Sequence, residues 1–429
     1  MSNHYSKYAF VAGALLMAGC SAVQEITEQV EEFKEQVKAI EDTTTVSGRV
    51  DNRSGQNGPI VAALLKQDGN FVRVLNEYQV SGNGTYKFFT APGTYTVSAF
   101  VDINKDGAFQ DGEPATYLGE SRGQLIEFEL TKGRDMQLRP LVIEKALQQR
   151  VSSRIVYDTE KALENIGRVV KLGDPMFSRG YAEMGLWKPF DFSQEVGGGM
   201  FLLSKYRKGR IPLVFVHGIK GTPAEWKYII KALDRKKFQP VLLHYPSGLP
   251  LDIVSEFMLK AINKLQNKYG FDEFYIAAHS MGGLVTRSFV KKYLAADNPA
   301  RIGMVVTINS PMMGIESAVT GVKYMPIVVP VWRDVAFDSP FIRALHEWPW
   351  PPDIPYHLVF SYLEDEAGDG VASLQSQIPR SLQKETSGMY GFEAEHAGLL
   401  KKRYFSREFN DILRQNLLEK EARAFAVLD

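Results

Sequence analysis

The spacing of hydrophobic and polar residues divides the chain into stretches with different patterns. Residues 45–140 consist of short alternating runs separated by Gly, Asn and Pro, for example Gly93–Val101. Alternation with a period of two is typical of strands that bury one face. Farther along, apolar runs become continuous, as at 211–216, which is typical of fully buried strands. The patterns predict an all-β sandwich domain over 45–140 and a second domain over 185–429.

Two other stretches have the three- and four-residue spacing of amphipathic helices. Residues 20–44 carry this spacing in a background rich in Glu, Gln and Lys, over a length too short for a stable coiled coil. They predict a helical spacer or a helix that docks on its own protein. Residues 141–184 predict helices that link the two domains, with the domain boundary near Pro140. The apolar positions of the first helix are Val23, Ile26, Val30, Phe33, Val37 and Ile40.

The N-terminus has the pattern of an export signal. The apolar run after Lys7 is too short to span a bilayer and ends in small residues, so residues 1–19 predict a signal peptide. Met-Ala-Gly-Cys at 17–20 resembles a bacterial lipobox, which implies that Cys20, the only cysteine, is lipidated and anchors the protein in a membrane. Ser21 resembles the outer-membrane sorting pattern, which implies a cell-envelope lipoprotein on the periplasmic or outer surface. The alternative is an ordinary cleaved signal with an incidental cysteine.

Composition adds two constraints. With 429 residues, of which 45% are hydrophobic, the chain can form two hydrophobic cores. The 50 basic and 50 acidic residues balance, so no net field favours nucleic acid as a partner. The oligomeric state is left open.

The first candidate for chemistry is Ser280 in Ala-His-Ser-Met-Gly at 278–282. It follows an apolar run and precedes a helical pattern, which predicts a serine on a sharp turn between strand and helix. On such a turn, helix amides stabilise developing negative charge and a histidine can reach the hydroxyl proton. Upstream, the strand at 211–216 is followed by His217-Gly-Ile-Lys-Gly, and we interpret His217 itself as part of a tight turn.

These motifs resemble those of bacterial α/β-hydrolase lipases and esterases. The resemblance extends from about Gly185 to the C-terminus, and it implies an α/β-hydrolase fold: a mostly parallel sheet flanked by helices, with a lid insertion. Ala278 replaces the commoner first glycine of the serine motif, as in small bacterial lipases. The implied chemistry needs no cofactor. The motifs that carry the resemblance are His217-Gly-Ile, Ala278-His-Ser-Met-Gly-Gly, Thr307-Ile-Asn-Ser-Pro, Gly368-Asp-Gly-Val and Glu395-His-Ala-Gly-Leu.

The resemblance also implies the partners of the serine. In this fold the nucleophile, the acid and the base follow one another along the chain in that order. Of the seven histidines, only His396 follows the best acid loop, so it is the expected base. Asp369, between two glycines after a predicted strand, is the preferred acid, and Asp365 is the alternative. The backbone N–H groups of Ile219 and Met281 would form the oxyanion hole.

An apolar insertion lies between the serine motif and the acid loop. Residues 312–355 contain seven prolines and three of the five tryptophans. Long insertions without clear periodicity are commonly lids or binding loops. The alternative is a rigid cap. In both cases the apolar composition favours hydrophobic acyl groups as substrates.

The β domain contains a calcium-loop pattern at 102–113. The side-chain oxygens of Asp102, Asn104, Asp106 and Glu113, with the Ala108 carbonyl, predict a structural Ca²⁺ site. The flanking strands differ from the helices of an EF-hand, and a polar hairpin turn is the alternative. The domain itself resembles the prealbumin-like or immunoglobulin-like modules of exported enzymes.

These expectations combine into one functional hypothesis. The chain is expected to be a membrane-anchored serine ester hydrolase, a lipase or esterase, which acts on hydrophobic acyl esters through an acyl-enzyme. One alternative is an acyltransferase or thioesterase that uses the same triad. The other is a non-catalytic envelope lipoprotein that binds a partner. The sequence leaves the natural ester open.

Overall fold

The chain divides into two compact units, with the division after Ser153. The predicted signal peptide, Cys20 and the helical spacer up to residue 43 lie outside the described residues. The computed structural model describes residues 44–68, 71–80, 84–90, 92–103, 109–110, 112–120, 125–131, 134–145, 160–296, 298–324, 329–364 and 366–426.

The first unit consists mainly of strands. These form two sheets, one in the order β4-β1-β8 with β9 also paired to β1, and one in the order β3-β2-β5-β6 with β7 also paired to β5. Val46 and Phe88 from the first sheet share a hydrophobic core with Leu64 and Val97 from the second. The predicted all-β domain is confirmed. The strands are β1 Thr44–Asn52, β2 Ile60–Asp68, β3 Phe71–Gln79, β4 Thr85–Thr90, β5 Gly93–Val101, β6 Ala115–Tyr117, β7 Phe128–Leu130, β8 Met136–Gln137 and β9 Leu141–Ile143.

Strand β9 corrects the prediction that a helical linker begins at residue 141. It pairs in parallel with residues 50–52 of β1, and Leu141 and Ile143 are buried while Val142 between them is half-buried. A short run of branched apolar residues fits a helix or a strand equally well, and here the pairing with β1 decides. The β unit therefore extends past Pro140. The first described helix after it, Glu160–Glu164, belongs to the second unit.

The second unit is organised around a seven-stranded sheet in the order β10-β12-β11-β13-β14-β15-β16. Strand β10 is antiparallel to β12, and all other pairs are parallel. Because both faces of a parallel sheet are covered, its strands are almost wholly apolar. The predicted, mostly parallel sheet is confirmed. Its strands are β10 Gly199–Leu202, β11 Ile211–Val216, β12 Phe238–His244, β13 Glu273–His279, β14 Arg301–Ile308, β15 Tyr356–Tyr362 and β16 Gly388–Glu393.

Helices cover both faces of this sheet. The helices are α1 Glu160–Glu164, α2 Arg179–Trp187, α3 Pro189–Glu195, α4 Lys227–Ala232, α5 Leu251–Tyr269, α6 Gly282–Leu294, α7 Glu316–Tyr324, α8 Pro330–Val335, α9 Pro340–His346, α10 Leu374–Gln377, α11 Arg380–Gln383 and α12 Arg403–Ala426. Helices α5 and α6 pack on one face, and α4 and α12 pack on the other. In α5 the buried Val254, Met258, Ala261 and Leu265 recur at three- and four-residue spacing and form the stripe that contacts the core. Among the described helices, none is both long and apolar enough to cross a membrane.

Candidate active site

Ser280 lies on the turn between β13 and α6. Its φ of 54° is in the left-handed region, and its N–H donates to the Ile308 carbonyl at 2.9 Å. Neighbouring glycines allow this close packing. A Cβ on Gly218 would lie 2.7 Å from the Ser280 Cβ, and a Cβ on Gly282 would lie 2.7 Å from the carbonyl oxygen of His217. The sequence therefore forms the sharp, strained turn that presents a serine to a partner side chain.

His396 lies just after β16 and reaches both of its predicted partners. Its Nε2 is 2.8 Å from Ser280 Oγ, and its Nδ1 is 2.7 Å from Asp369 Oδ2. The carboxylate accepts hydrogen bonds only, so Nδ1 carries the proton and Nε2 is free to accept the serine hydroxyl. The structure thus brings together the three residues that the sequence motifs proposed.

The Asp369 carboxylate is fixed by the backbone of its own loop. Its Oδ1 accepts the N–H groups of Val371 at 3.0 Å and Ala372 at 2.8 Å, which leaves Oδ2 directed at His396. The buried Gln377 then holds the loop, because its Nε2 donates to the Ala372 carbonyl at 3.0 Å. Asp365, the alternative acid, lies outside the described residues.

The two predicted oxyanion donors flank Ser280. Met281 follows the serine and is the N-cap residue of α6, and Ile219 directly follows Gly218, whose backbone contacts Ser280. Within the described part of the chain, neither the Met281 nor the Ile219 N–H donates to an acceptor. The N-terminus of α6 adds a dipole that favours negative charge at this position.

The His217 side chain supports the turn, as the sequence interpretation proposed. Its ring is buried and stacks on Tyr245 with centroids 4.2 Å apart. The Tyr245 hydroxyl donates to the His217 carbonyl at 2.5 Å. Burial lowers the pKa of His217, so the ring is neutral. Tyr245, together with Ser247, which accepts the Lys220 N–H at 3.1 Å, fixes the loop that carries Ile219.

Asn309 holds the loop that carries His396. It follows β14 with a φ of 50°, and its Nδ2 donates to the His396 carbonyl at 2.7 Å. The His396 N–H in turn donates to the Asp369 carbonyl at 2.9 Å. Sequence analysis did not assign Asn309, Tyr245 or Gln377. Of the three, only Asn309 could have been identified from a sequence motif, because it lies in Thr-Ile-Asn-Ser-Pro. The other two act through contacts with residues that are distant in sequence.

The C-terminal end of the insertion is fastened to α6. Arg287 is buried and pairs with Glu385, with Nη1 2.9 Å from Oε2. Its Nε donates to the Leu345 carbonyl and its Nη2 to the Trp348 carbonyl, and its guanidinium lies over the rings of Trp348 and Trp350. Arg287, seven positions after Ser280, thus anchors the insertion. This end of residues 312–355 fits the rigid-cap alternative better than a moving lid.

A second anchor, Asp334, gives a pH-dependent prediction. Its Oδ2 accepts the Leu251 N–H at 2.7 Å, and burial raises its pKa to about 7. The folded protein therefore holds a proton that the unfolded chain loses above its ordinary carboxyl pKa, so stability falls as the pH rises towards 7. In Asp334→Asn the amide oxygen can still accept the Leu251 N–H but cannot ionise. We expect the variant to melt about 4 °C higher than wild type at pH 8, and the difference to shrink at pH 4.5.

Circular dichroism melting curves at the two pH values check this prediction. Asp338→Asn is the matched control, because Asp338 lies in the same insertion but is about half exposed and pairs with Arg343 at the surface. The control should show no such pH-dependent gain. An Asp334→Asn variant that melts at or below the wild-type temperature at pH 8 would contradict the prediction.

The calcium prediction remains a prediction. Asn104, Asp106 and Ala108 lie outside the described residues. The other two predicted ligands, Asp102 and Glu113, are buried. The Glu113 carboxylate closes the loop by accepting the N–H groups of residues 103 and 110 at 2.8 and 2.9 Å. Across the described residues, no group of three or more His, Cys, Asp or Glu side chains could hold a metal ion.

Comparison with known proteins agrees with this fold. Residues 211–337 match the family described as alpha/beta hydrolase fold, and residues 20–113 match a protein family of unknown function, DUF1416. The first match begins at β11 and includes Ser280, Ile219 and Met281. Together with the strand order, it identifies the second unit as an α/β-hydrolase fold, as the motifs predicted. This fold supports hydrolase activity in general.

Three similar solved structures each cover just under half of the chain. The mature Bacillus licheniformis lipase BlEst2 is 12% identical over 48% of this chain and 93% of its own, with a TM-score of 0.41. The product of the lin2722 gene of Listeria innocua is 15% identical over 47% and 92%, with a TM-score of 0.38. Aspergillus fumigatus lipase B is 17% identical over 44% and 45%, with a TM-score of 0.33. Sequence identities and TM-scores this low do not indicate a substrate for this protein. None of the curated proteins matches the chain.

Proposed function

We propose that this protein is a serine ester hydrolase. One observation carries the proposal: a continuous hydrogen-bonded chain from Ser280 Oγ through His396 to the buried Asp369 carboxylate, with contacts of 2.8 and 2.7 Å. Nucleophile, base and orienting acid are thereby aligned for proton transfer. The backbone N–H groups of Ile219 and Met281 are the proposed oxyanion donors.

The proposed reaction has two halves. Ser280 Oγ attacks the ester carbonyl carbon while its proton moves to His396 Nε2, and the carbonyl electron pair moves to the oxygen held by the two N–H donors. Collapse of this intermediate expels the alcohol, which takes the proton from His396, and the acyl group stays on Oγ. Water then attacks the acyl-enzyme and gives a proton to His396, which returns it to Ser280 as the carboxylic acid leaves. All the groups come from the chain, so the reaction uses no cofactor.

Hydrophobic acyl esters are the proposed substrates. Ile219 and Met281 belong to, or pack against, the same apolar cluster as Met312, Val331 and Val335 of the insertion. The partly buried indole of Trp332 packs against this cluster and lies edge-on to Trp187, with centroids 5.7 Å apart. An acyl chain bound next to the oxyanion donors would therefore contact carbon-rich walls, which favours apolar chains over charged groups.

The test is hydrolysis of p-nitrophenyl esters of increasing acyl length by the full-length protein in detergent, combined with fluorophosphonate labelling and mass spectrometry. We expect turnover that improves beyond acetate and one adduct, at Ser280. Neither turnover nor adduct would favour the non-catalytic alternative. Faster acyl transfer to an added alcohol or thiol than to water would favour the acyltransferase alternative.

We also propose that the enzyme is an envelope lipoprotein attached through Cys20. The support is the lipobox pattern before Cys20 and the absence of any other cysteine in the sequence. Labelled palmitate should enter the wild-type protein and not the Cys20→Ala variant in a bacterial host. Equal labelling of the two proteins would contradict the anchor.

A further inference from the structure

A second carboxylate–histidine pair lies directly behind the triad. His279 immediately precedes Ser280, and its Nδ1 is 3.2 Å from Oε1 of Glu225, in the 3₁₀ turn Pro223–Trp226. Its Nε2 is 3.3 Å from the backbone carbonyl oxygen of His396. The side chain of His279 is only 5% exposed, so water cannot readily replace these partners. The pair therefore connects the nucleophile turn to the loop of the base.

Both partners of His279 can only accept hydrogen bonds. A neutral imidazole carries one N–H and can satisfy one of the two, whereas an imidazolium carries two and can satisfy both. The contacts with Glu225 and with the His396 carbonyl are thus compatible with each other only when the ring is protonated. Hydrogen-bond geometry alone argues for a buried charge at His279.

The surrounding charges agree with this protonation. Burial is the largest single influence and opposes a charge on His279, but the Glu225 carboxylate, the His396 carbonyl and Asp369 together outweigh burial and raise the pKa of His279. His217 faces the same region and is neutral because burial lowers its pKa. The ring of His396 lies 5.2 Å from that of His279. During catalysis the transient positive charge of His396 is therefore close to the carboxylates of Glu225 and Asp369 and to the imidazolium of His279.

We propose that His279, held as an imidazolium by Glu225, is a positioning residue that fixes the main chain of His396 and sets the alkaline limit of activity. This inference rests on the proposed function. Asn309 donates to the same His396 carbonyl, so that oxygen receives two hydrogen bonds, one of which requires the proton on His279. When His279 loses one proton at high pH, the remaining N–H stays on Nδ1 beside the Glu225 carboxylate, so the bond to the His396 carbonyl is lost and the base is held less firmly over Ser280.

Glu225 also contacts the loop of the oxyanion donors. A Cβ on Gly221 would lie 2.6 Å from Glu225 Oε2, so the carboxylate packs directly against the main chain just after Ile219. The loops that carry the proposed oxyanion donor, the nucleophile and the base therefore all contact this largely buried ion pair. A change in the charge of this pair acts on positioning, whereas Ser280 and His396 carry out the bond changes.

The test compares pH profiles of kcat and KM for wild type, Glu225→Gln and His279→Gln. Without the carboxylate, His279 should lose its proton more readily. The alkaline limb of the kcat–pH profile of Glu225→Gln should therefore shift to lower pH by about one unit. His279→Gln should lose roughly tenfold in kcat with little change in KM, and its alkaline limb should disappear because glutamine does not titrate. Glu273→Gln is the control: Glu273 is a buried, ion-paired carboxylate at the opposite end of β13, and its loss should leave the alkaline limb in place.

A second readout does not depend on turnover. In Ser280→Ala protein labelled with ¹⁵N-histidine, the His279 ring nitrogens, assigned by comparison with the Ser280→Ala, His279→Gln double variant, should both be protonated at pH 7. A wild-type protein without hydrolase activity would overturn the proposed function and this role with it. An active enzyme with a neutral His279, or with an unchanged alkaline limb in Glu225→Gln, would overturn this inference alone.

Discussion

Replacing Ser280 with alanine is expected to lower kcat/KM for ester hydrolysis by roughly 10⁴- to 10⁶-fold. The substitution removes one atom, the Oγ that lies 2.8 Å from His396 Nε2. Without it no acyl-enzyme can form, and the remaining rate comes from substrate binding and the oxyanion donors. The fold should persist, because the sheet contacts of this turn are made by the backbone. Steady-state kinetics on the best p-nitrophenyl ester measure the loss, and circular dichroism checks the fold.

Ser288→Ala provides a matched control for this experiment. Ser288 lies on α6, eight positions after the nucleophile, and is as buried as Ser280 at 3% exposure. Its hydroxyl bonds to Ser255 at 2.9 Å and faces away from the triad chemistry. We expect its activity to stay within about threefold of wild type, since only one structural hydrogen bond is lost. Equal activity in Ser280→Ala and Ser288→Ala would rule out Ser280 as the nucleophile.

Asp369→Asn is expected to lower kcat by about 10⁴-fold, although the substitution is isosteric. The N–H groups of Val371 and Ala372 both donate to Oδ1, so the amide oxygen of the new asparagine must take that position. Its NH₂ group then faces His396 Nδ1 and donates to it. This reversal forces the proton of His396 onto Nε2, where the imidazole can no longer accept the proton of Ser280. Rapid-mixing kinetics of acyl-enzyme formation would locate the loss in the acylation step.

Asp365→Asn distinguishes the two candidate acids. Both residues follow β15 along the chain, and the sequence pattern offered Asp365 as the alternative to Asp369. If Asp369 orients His396, the Asp365 variant should keep nearly all of its activity. A large loss in Asp365→Asn beside a small loss in Asp369→Asn would assign the acid to Asp365 instead.

The sequence predicted the parts of the fold that local pattern controls. Continuous apolar runs such as that of β11 must be covered on both faces, so a mostly parallel sheet followed from them and from the motif resemblance. The pattern failed at residues 141–143, where a short apolar run has no period of its own and pairing with β1 decides the structure.

Candidate site residues were predictable where a short motif joins a special backbone conformation to a reactive side chain. Ser280 and Gly282 lie two positions apart in one short motif, so this part of the pattern is visible before folding. Residues such as Tyr245 and Gln377 carry no such signal. Each acts by a hydrogen bond to a main-chain oxygen that is defined only once the loops have come together.

The position of His396 after β16 has a consequence for how the enzyme would lose activity. Strand β16 is at the border of the sheet and has one neighbour, and such borders open locally at a lower free energy than interior strands. The backbone of His396 is tied to Asp369, Asn309 and His279, which follow or lie in strands nearer the centre. These hydrogen bonds connect the edge of the sheet to its centre. On heating, loss of these hydrogen bonds would inactivate the protein reversibly while the centre of the sheet stays folded. Activity would therefore be lost at a lower temperature than the fold.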